Sequence, residues 1–185
     1  MSRLQSYSFT PLLLIFAAGC STAPKTPEGK ADIEASAATA VSQAKAEDPT
    51  MVTVFDRSVA YAVFPKVGKG GLIAGGAYGK GVLYEHGIVV GYCDLTQGTI
   101  GLQAGGQSYT EIISFSTGEA ADRFKNGNFA FNAQVTAVAL HSGAGKNAHY
   151  ADGVAVFTLN EAGLMAEAAV GGQKFSYQPD RKSVV

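Results

Sequence analysis

An alternation of apolar and polar side chains begins near Ala60, and it limits the fold more than any other feature of this sequence. The segment "TIGLQAGGQ" (residues 99–107) alternates in this way, and "FAFNAQVTAVA" (residues 129–139) repeats the pattern. Such alternation is typical of strands that bury one face and expose the other in antiparallel sheets. Thirteen of the 23 glycines fall between Lys66 and Gln107, and glycine within strands marks bulges, bends or close backbone approach. The pattern therefore predicts a large antiparallel sheet that could curl into a barrel.

Further segments show the same strand pattern and are separated by short, glycine-containing connections. Glu85-His86-Gly87 is one such connection, with glycine where a hairpin needs a positive φ. We expect strands at Tyr61–Phe64, Gly71–Tyr78, Gly81–Tyr84, Gly87–Tyr92, Tyr109–Phe115, Val154–Leu159 and Leu164–Val170.

Helical spacing appears before the sheet. Apolar residues recur every three or four positions between Ile33 and Ala44, which predicts an N-terminal helix within residues 30–49. Asp48-Pro49 ends it, because proline disfavours the helical region for the residue before it. Thr50 can then cap a second, short helix that contains Met51, Val54 and Phe55.

One further helix interrupts the strands. Ser116 and Glu119 form a capping-box pair, Phe124 faces inward, and Asn126-Gly127 ends the segment. The fold class is therefore β-rich α+β, with N-terminal helices followed by the sheet and one inserted helix.

The first 19 residues have the layout of a secretory signal peptide. Arg3 gives a basic start, Leu12–Ala18 is an unbroken apolar run, and small residues precede Cys20. The run is much shorter than the roughly 20 residues that span a bilayer as a helix. Residues 20–29, with two prolines and small polar residues, predict an extended tether.

The end of this leader resembles a bacterial lipobox, in which the cysteine is acylated and becomes the first residue of the mature chain. Ala17 stands where that motif usually has leucine. The resemblance implies a lipid anchor at Cys20 in the cell envelope, and Ser21 favours the outer membrane, facing the periplasm. The alternative is an ordinary signal peptide that leaves Cys20 as a free thiol.

Several chemistries are not supported by the residues. A phosphate-binding P-loop needs GxxxxGK with Ser or Thr next, but Ala74 replaces the first glycine and Gly81 replaces the hydroxyl residue. His141 and His149 lie at the two ends of a glycine-rich loop, and the sequence shows no nucleophile-base pair. The sequence therefore predicts a non-catalytic protein without a cofactor or metal.

The charge balance bears on possible partners. Without residues 1–19, which contain only Arg3 among charged residues, 13 Lys and Arg face 15 Asp and Glu, a formal charge of −2. Nucleic-acid-binding domains are usually strongly basic, so we expect no nucleic-acid partner.

Three lysines stand out against this acidic balance. Lys66, Lys69 and Lys80 lie among glycines, with no acidic residue between Arg57 and Tyr84. Successive amides in glycine turns can form an anion-binding concavity, and lysine is a point charge suited to phosphate. They predict a local positive patch for phosphate. The alternative is that they are solubilising lysines at strand ends.

Three blocks of sequence resemble the SYLF domain family, in the family's order. They are "AYAVFPKVGKGGLIAGGAYGKGVLY" (residues 60–84), "GTIGLQAGGQSYTEIISF" (residues 98–115) and "AVFTLNEAGLMAEAAVGGQKFSY" (residues 155–177). The resemblance implies a lipid-binding domain over residues 50–180. Eukaryotic members are associated with phosphoinositides and actin regulation, and bacterial members are often envelope lipoproteins. The export signal argues against an actin role here.

The sequence therefore predicts an envelope lipoprotein that binds anionic phospholipid head groups of the phosphoinositide kind. Lys66, Lys69 and Lys80 would contact phosphate, and the apolar residues Met51, Val54 and Phe55 would enter the membrane interface. The alternative is a structural envelope protein that binds a protein partner and meets lipid only through its acyl anchor.

Overall fold

The computed structural model describes residues 24–71, 74–100, 107–127, 137–159 and 172–180. Cys20 and the predicted strand at Leu164–Val170 lie outside these ranges, as do most of residues 99–107 and 129–139. The elements are α1 (Pro27–Glu47), α2 (Met51–Arg57), β1 (Ala60–Gly71), β2 (Ala74–Glu85), β3 (Ile88–Ile100), β4 (Gln107–Phe115), α3 (Gly118–Lys125), β5 (Ala137–Ala139), β6 (Val154–Leu159) and β7 (Gln173–Pro179).

The described strands form one sheet in the order β5-β6-β4-β1-β2-β3-β7. Every neighbouring pair is antiparallel except β5 and β6, which run parallel. The predicted α+β class is confirmed. Within the described residues the sheet is open, with β5 and β7 at its edges, so it does not close into a barrel.

The predicted strand at Gly71–Tyr78 is wrong in its boundaries. Strand β1 ends at Gly71 and β2 begins at Ala74, and the connection expected at Gly79-Lys80, between two predicted strands, lies inside β2. Glycines in a turn and glycines in a strand look alike in a sequence, which is why the pattern misplaced this hairpin. The β2–β3 hairpin is at His86-Gly87, as predicted, with φ of 50° and 79°.

The sheet has a separate buried cluster on each face. Ala60, Ala62 and Phe64 of β1 belong to a cluster that includes Phe124 of α3, and we call this side the α3 face. The intervening Tyr61 and Val63 belong to a cluster with Ala37, Ala40 and Ala44 of α1, and we call this side the α1 face. Successive side chains of a strand point to opposite faces, so α1 and α3 cover opposite sides of the sheet.

A bulge in β1 interrupts this alternation at Pro65. The pairing register shifts between Val63 and Lys66 on the β2 side and between Phe64 and Val67 on the β4 side. Proline has no N–H to give to the ladder and is found at edges or bulges, and its carbonyl accepts a hydrogen bond from Thr110 Oγ1 at 2.9 Å. After the bulge, Val67 rejoins the α3 face, so Lys66 points to the α1 face and Lys69 to the α3 face.

Helix α1 begins three residues before the predicted start. Pro27 occupies the first turn, and the Thr26 hydroxyl oxygen accepts a hydrogen bond from Gly29 N at 3.1 Å. Polar contacts join the helix to β3 and to the residue after β7: Lys30 Nζ lies 2.8 Å from Asp180 Oδ1, and Tyr92 donates to Glu34 Oε1 at 2.5 Å. No helix in the described part of the chain is long and apolar enough to cross a membrane.

A buried carboxylate joins the two N-terminal helices to the loop after β5. Asp48 accepts hydrogen bonds from the backbone N–H groups of Gly143 (3.1 Å) and Gly145 (2.6 Å). Thr50 is the N-cap residue of α2, as predicted, but its hydroxyl donates to Asp48 and makes no capping hydrogen bond to the helix. Burial raises the pKa of Asp48, but the hydrogen bonds from Gly145, Thr50 and Gly143 outweigh burial and leave the pKa below its usual 3.8.

Replacing Asp48 by Asn should destabilise the protein in a pH-dependent way. A carboxylate whose pKa is lower in the folded state stabilises the fold above its unfolded pKa, and this contribution is lost as pH falls through the folded pKa. We expect D48N to lower the free energy of unfolding by about 1–3 kcal/mol at neutral pH. The difference from wild type should shrink below about pH 4, as followed by urea denaturation across pH. A difference that stays constant down to pH 2 would contradict this account.

The glycine opposite the bulge should tolerate no side chain. A Cβ on Gly81 would lie 2.7 Å from both Val63 O and Phe64 Cδ1, whereas a Cβ on Gly68 would meet nothing within 4 Å. We expect G81A to lower the free energy of unfolding by about 1–3 kcal/mol, the usual cost of overpacking. The matched control G68A should change it by less than about 0.5 kcal/mol. Equal effects in urea denaturation would show that Gly81 is not sterically required.

Candidate functional site

A groove of about 490 Å³ separates α1 from strands β1 and β2 on the α1 face. Its helix wall carries polar side chains in a stripe along α1, and its sheet wall carries lysines and a tyrosine. The lining residues are Ile33, Ser36, Thr39, Ala40, Gln43, Pro65, Lys66, Tyr78, Gly79 and Lys80. The polar residues Ser36, Thr39 and Gln43 each stand one position before an alanine that packs on the sheet, so they form a stripe along the edge of the packed face.

Two of the three predicted lysines meet in this groove. Lys66 and Lys80 are direct cross-strand partners of β1 and β2, so their side chains project from the same face. Like charges directly opposite in a sheet are destabilising. Lys30, Arg123 and Lys125 form ion pairs with nearby carboxylates, whereas no ion pair of Lys66 or Lys80 is seen among the described residues. An anion between the two ammonium groups would relieve their repulsion.

The fold also brings carboxylates near Lys80 that are distant in sequence. Asp94 of β3 is the next cross-strand partner of Lys80, and its carboxylate accepts from Tyr78 OH at 3.1 Å and from Ser176 Oγ at 3.3 Å. Asp32 of α1 lines an adjoining cleft together with Lys80. The positive potential of the groove is therefore centred toward Lys66, which is exposed.

Lys69 does not share this site. Its Nζ lies 4.4 Å from the centre of the Tyr109 ring, on the α3 face, and the residue is only 9% exposed. Glu111 is buried on the same side and accepts from Tyr109 OH at 3.2 Å and from Gln173 Nε2 at 2.9 Å. The prediction of one patch of three lysines is therefore wrong for Lys69, because the bulge at Pro65 turns it to the opposite face.

The predicted apolar anchor is part of the core. Met51, Val54 and Phe55 are 0%, 6% and 7% exposed and pack in the cluster of the α1 face. Phe55 makes an edge-on contact with Tyr61, with ring centres 4.9 Å apart. The prediction that these three side chains enter a membrane interface is wrong for the folded protein, since the sheet already covers them. Val52, at 42% exposure, is an apolar residue of this helix that faces outward.

Sequence reasoning missed the helix wall of the groove. Ser36, Thr39 and Gln43 recur at spacings of three and four, which places them on one side of a helix. That spacing was readable, but only the fold shows that this side faces Lys66 and Lys80. Cys93 of β3 is 1% exposed, and burial raises the pKa of its thiol well above the usual value.

Comparison with known proteins gives two matches. Residues 96–183 match the family described as "Ysc84: Las17-binding protein actin regulator". The second and third blocks that resemble the SYLF family lie inside this range, and the block that contains Lys66 and Lys80 lies before it. The chain is also 28% identical over 159 residues to "Beta cell expansion factor A" of Aeromonas veronii. That match covers 85% of this chain and 60% of the relative's length.

Proposed function

Residues 96–183 belong to the Ysc84 family, also called the SYLF family, and from this premise we propose that the protein binds anionic phospholipid head groups without catalysis. The observation that carries the proposal is the cross-strand pair Lys66 and Lys80 in the groove beside α1. A lipid phosphate between the two ammonium groups would accept charge-assisted hydrogen bonds from both, which are about twice as strong as neutral ones.

The groove suits a head group at a membrane surface. It is open to solvent along α1, and Tyr78, at 41% exposure, gives one wall an amphipathic ring. Tyrosine favours the boundary between apolar and aqueous phases. Each lysine near an anionic surface contributes about 1 kcal/mol of attraction. We therefore expect the site to bind a single free head group weakly and to bind an anionic membrane surface, which presents many head groups, more tightly.

We further propose that Cys20 is acylated and holds the protein in the cell envelope, at the outer membrane and facing the periplasm. The start of the described chain is compatible with this anchor, because Pro24 lines the cleft beside Lys80. Pro24 is four positions after Cys20, so the chain between them spans at most about 14 Å. An anchor at Cys20 would therefore keep the groove close to the membrane that holds the acyl chains.

The head-group proposal is tested with residues 21–185, made without acylation, in co-sedimentation with vesicles. We expect binding to anionic vesicles that falls at high salt, because exposed charges are screened, and little binding to neutral vesicles. The double variant K66E/K80E should lose most of this binding, at least about tenfold, because it loses two attractive charges and adds two repulsive ones.

The control is K146E, the same charge reversal at an exposed lysine in the loop that Asp48 binds. It should bind nearly as wild type does. Equal recovery of wild type and K66E/K80E, or equal recovery with neutral and anionic vesicles, would remove the proposal. In that case, a single dominant protein adduct after crosslinking in cells would support the alternative of a protein partner.

The anchor is tested separately in cells with C20S. We expect the wild-type protein to incorporate labelled palmitate and to fractionate with membranes, since two or more acyl chains hold a protein stably on a bilayer. C20S should incorporate no label, and at high salt, which screens the head-group contact, it should leave the membrane fraction. Unchanged labelling and fractionation of C20S would contradict acylation at this residue and would leave the vesicle test unaffected.

A further inference from the structure

The helix wall of the groove presents hydrogen-bond acceptors. Ser36 Oγ donates to Asp32 O at 2.8 Å, and Thr39 Oγ1 donates to Ala35 O at 2.9 Å. A hydroxyl has one proton and two lone pairs, so both oxygens have used their proton on the helix backbone. Both residues line the groove and are exposed. What they offer a ligand is therefore an acceptor oxygen.

The sheet wall has the opposite character. Lys66 and Lys80 are donors only, since a lysine ammonium has three N–H groups and no acceptor. The groove thus sets two cationic donors opposite the hydroxyl acceptors of Ser36 and Thr39, with the Gln43 amide, which can donate or accept, on the same helix wall. Its volume of about 490 Å³ is typical of small-molecule sites. A bare phosphate satisfies only the lysine side. A ligand complementary to both walls carries negative oxygen on one side and hydroxyl donors on the other.

We propose that the preferred ligand of this site is a phosphodiester head group whose alcohol carries free hydroxyls, such as a glycerol head group, with the phosphate on Lys66 and Lys80 and a hydroxyl on Ser36 or Thr39. This inference rests on the proposed head-group function and specifies its ligand class. An ammonium-bearing head group is disfavoured, because it adds a positive charge beside two lysines. The carboxylate of Asp32, which lines the adjoining cleft, would favour such an ammonium group. A lipid with an ammonium-bearing head group is therefore the competitor to test.

The experiment measures the binding of residues 21–185 to vesicles matched in surface potential that contain phosphatidylglycerol, phosphatidic acid or a mixture with phosphatidylethanolamine. We expect wild type to prefer phosphatidylglycerol over phosphatidic acid by about fivefold for each hydrogen bond that the glycerol donates. S36A/T39A should bind phosphatidic acid as wild type does but lose this preference.

The chain offers a matched control. Ser42 Oγ donates to Ala38 O at 3.0 Å in the same manner as Ser36 and Thr39, and Ser42 is exposed but does not line the groove. S42A should keep the preference. T39S, which retains the acceptor oxygen, should keep it as well. Loss of the preference in S42A would assign the effect to helix stability and overturn the inference.

A competition experiment tests whether the site recognises the whole head group or only its phosphate. Glycerophosphoglycerol, the deacylated head group, should displace the protein from phosphatidylglycerol vesicles at lower concentration than inorganic phosphate does. Equal potency would overturn the hydroxyl contact. Equal binding of all anionic vesicles, or stronger binding with phosphatidylethanolamine, would overturn this inference and leave the head-group function standing. The absence of binding to every anionic vesicle would overturn both.

Discussion

The bulge at Pro65 is the constraint on which the arrangement of this site depends. Strand β1 lies between β2 and β4, where a proline deprives the ladder of one donor. The strand responds by shifting register on both sides. Without that shift, alternation from Phe64 onward would turn Lys66 into the α3 face and Lys69 toward α1. One residue of offset therefore decides which lysine meets Lys80, since a strand's side chains change face at every residue.

The bulge also explains part of the glycine content. Gly81 sits opposite it, where Phe64 and the Val63 carbonyl occupy the space of a Cβ, and Gly79 packs against Val67 in the same way. Gly68 and Gly70 have open space instead, so close packing does not account for them. The glycines that flank Lys80 are thus required by β1, and they place the lysine in a regular strand pair. The strand therefore presents the Lys80 charge on the face of the sheet. The backbone amides of the neighbouring glycines belong to the hydrogen-bonded strand ladder.

Local features were predictable wherever a short pattern has one physical meaning. Asp48-Pro49 ended α1 and His86-Gly87 formed the hairpin, because proline and positive φ leave few alternatives. The third helix was predicted with Ser116 as its cap, but Thr117 is the cap and accepts from Ala120 N at 3.3 Å. The roles of Met51, Val54 and Phe55 were not predictable, because an apolar helix face has the same sequence whether it packs on a sheet or on a membrane. The prediction that Lys69 lies with Lys66 and Lys80 was wrong for a different reason, because the alternating pattern gives no signal for the register shift at Pro65.

The composition of α1 is consistent with a wall of the site and argues against a role as a membrane-inserting helix. It packs on the sheet through Ala37, Ala40 and Ala44, and such small side chains bring the helix axis near the strands. A helix held by larger residues would stand further away and leave Ser36 and Thr39 remote from Lys66 and Lys80. Interfacial helices need a strong apolar face and a basic polar one, whereas α1 has neither: Asp32 lines the cleft beside the groove, and Glu34 accepts a hydrogen bond from Tyr92. The same alanines that make this helix a weak membrane binder therefore let it pack against the sheet as the second wall of the groove.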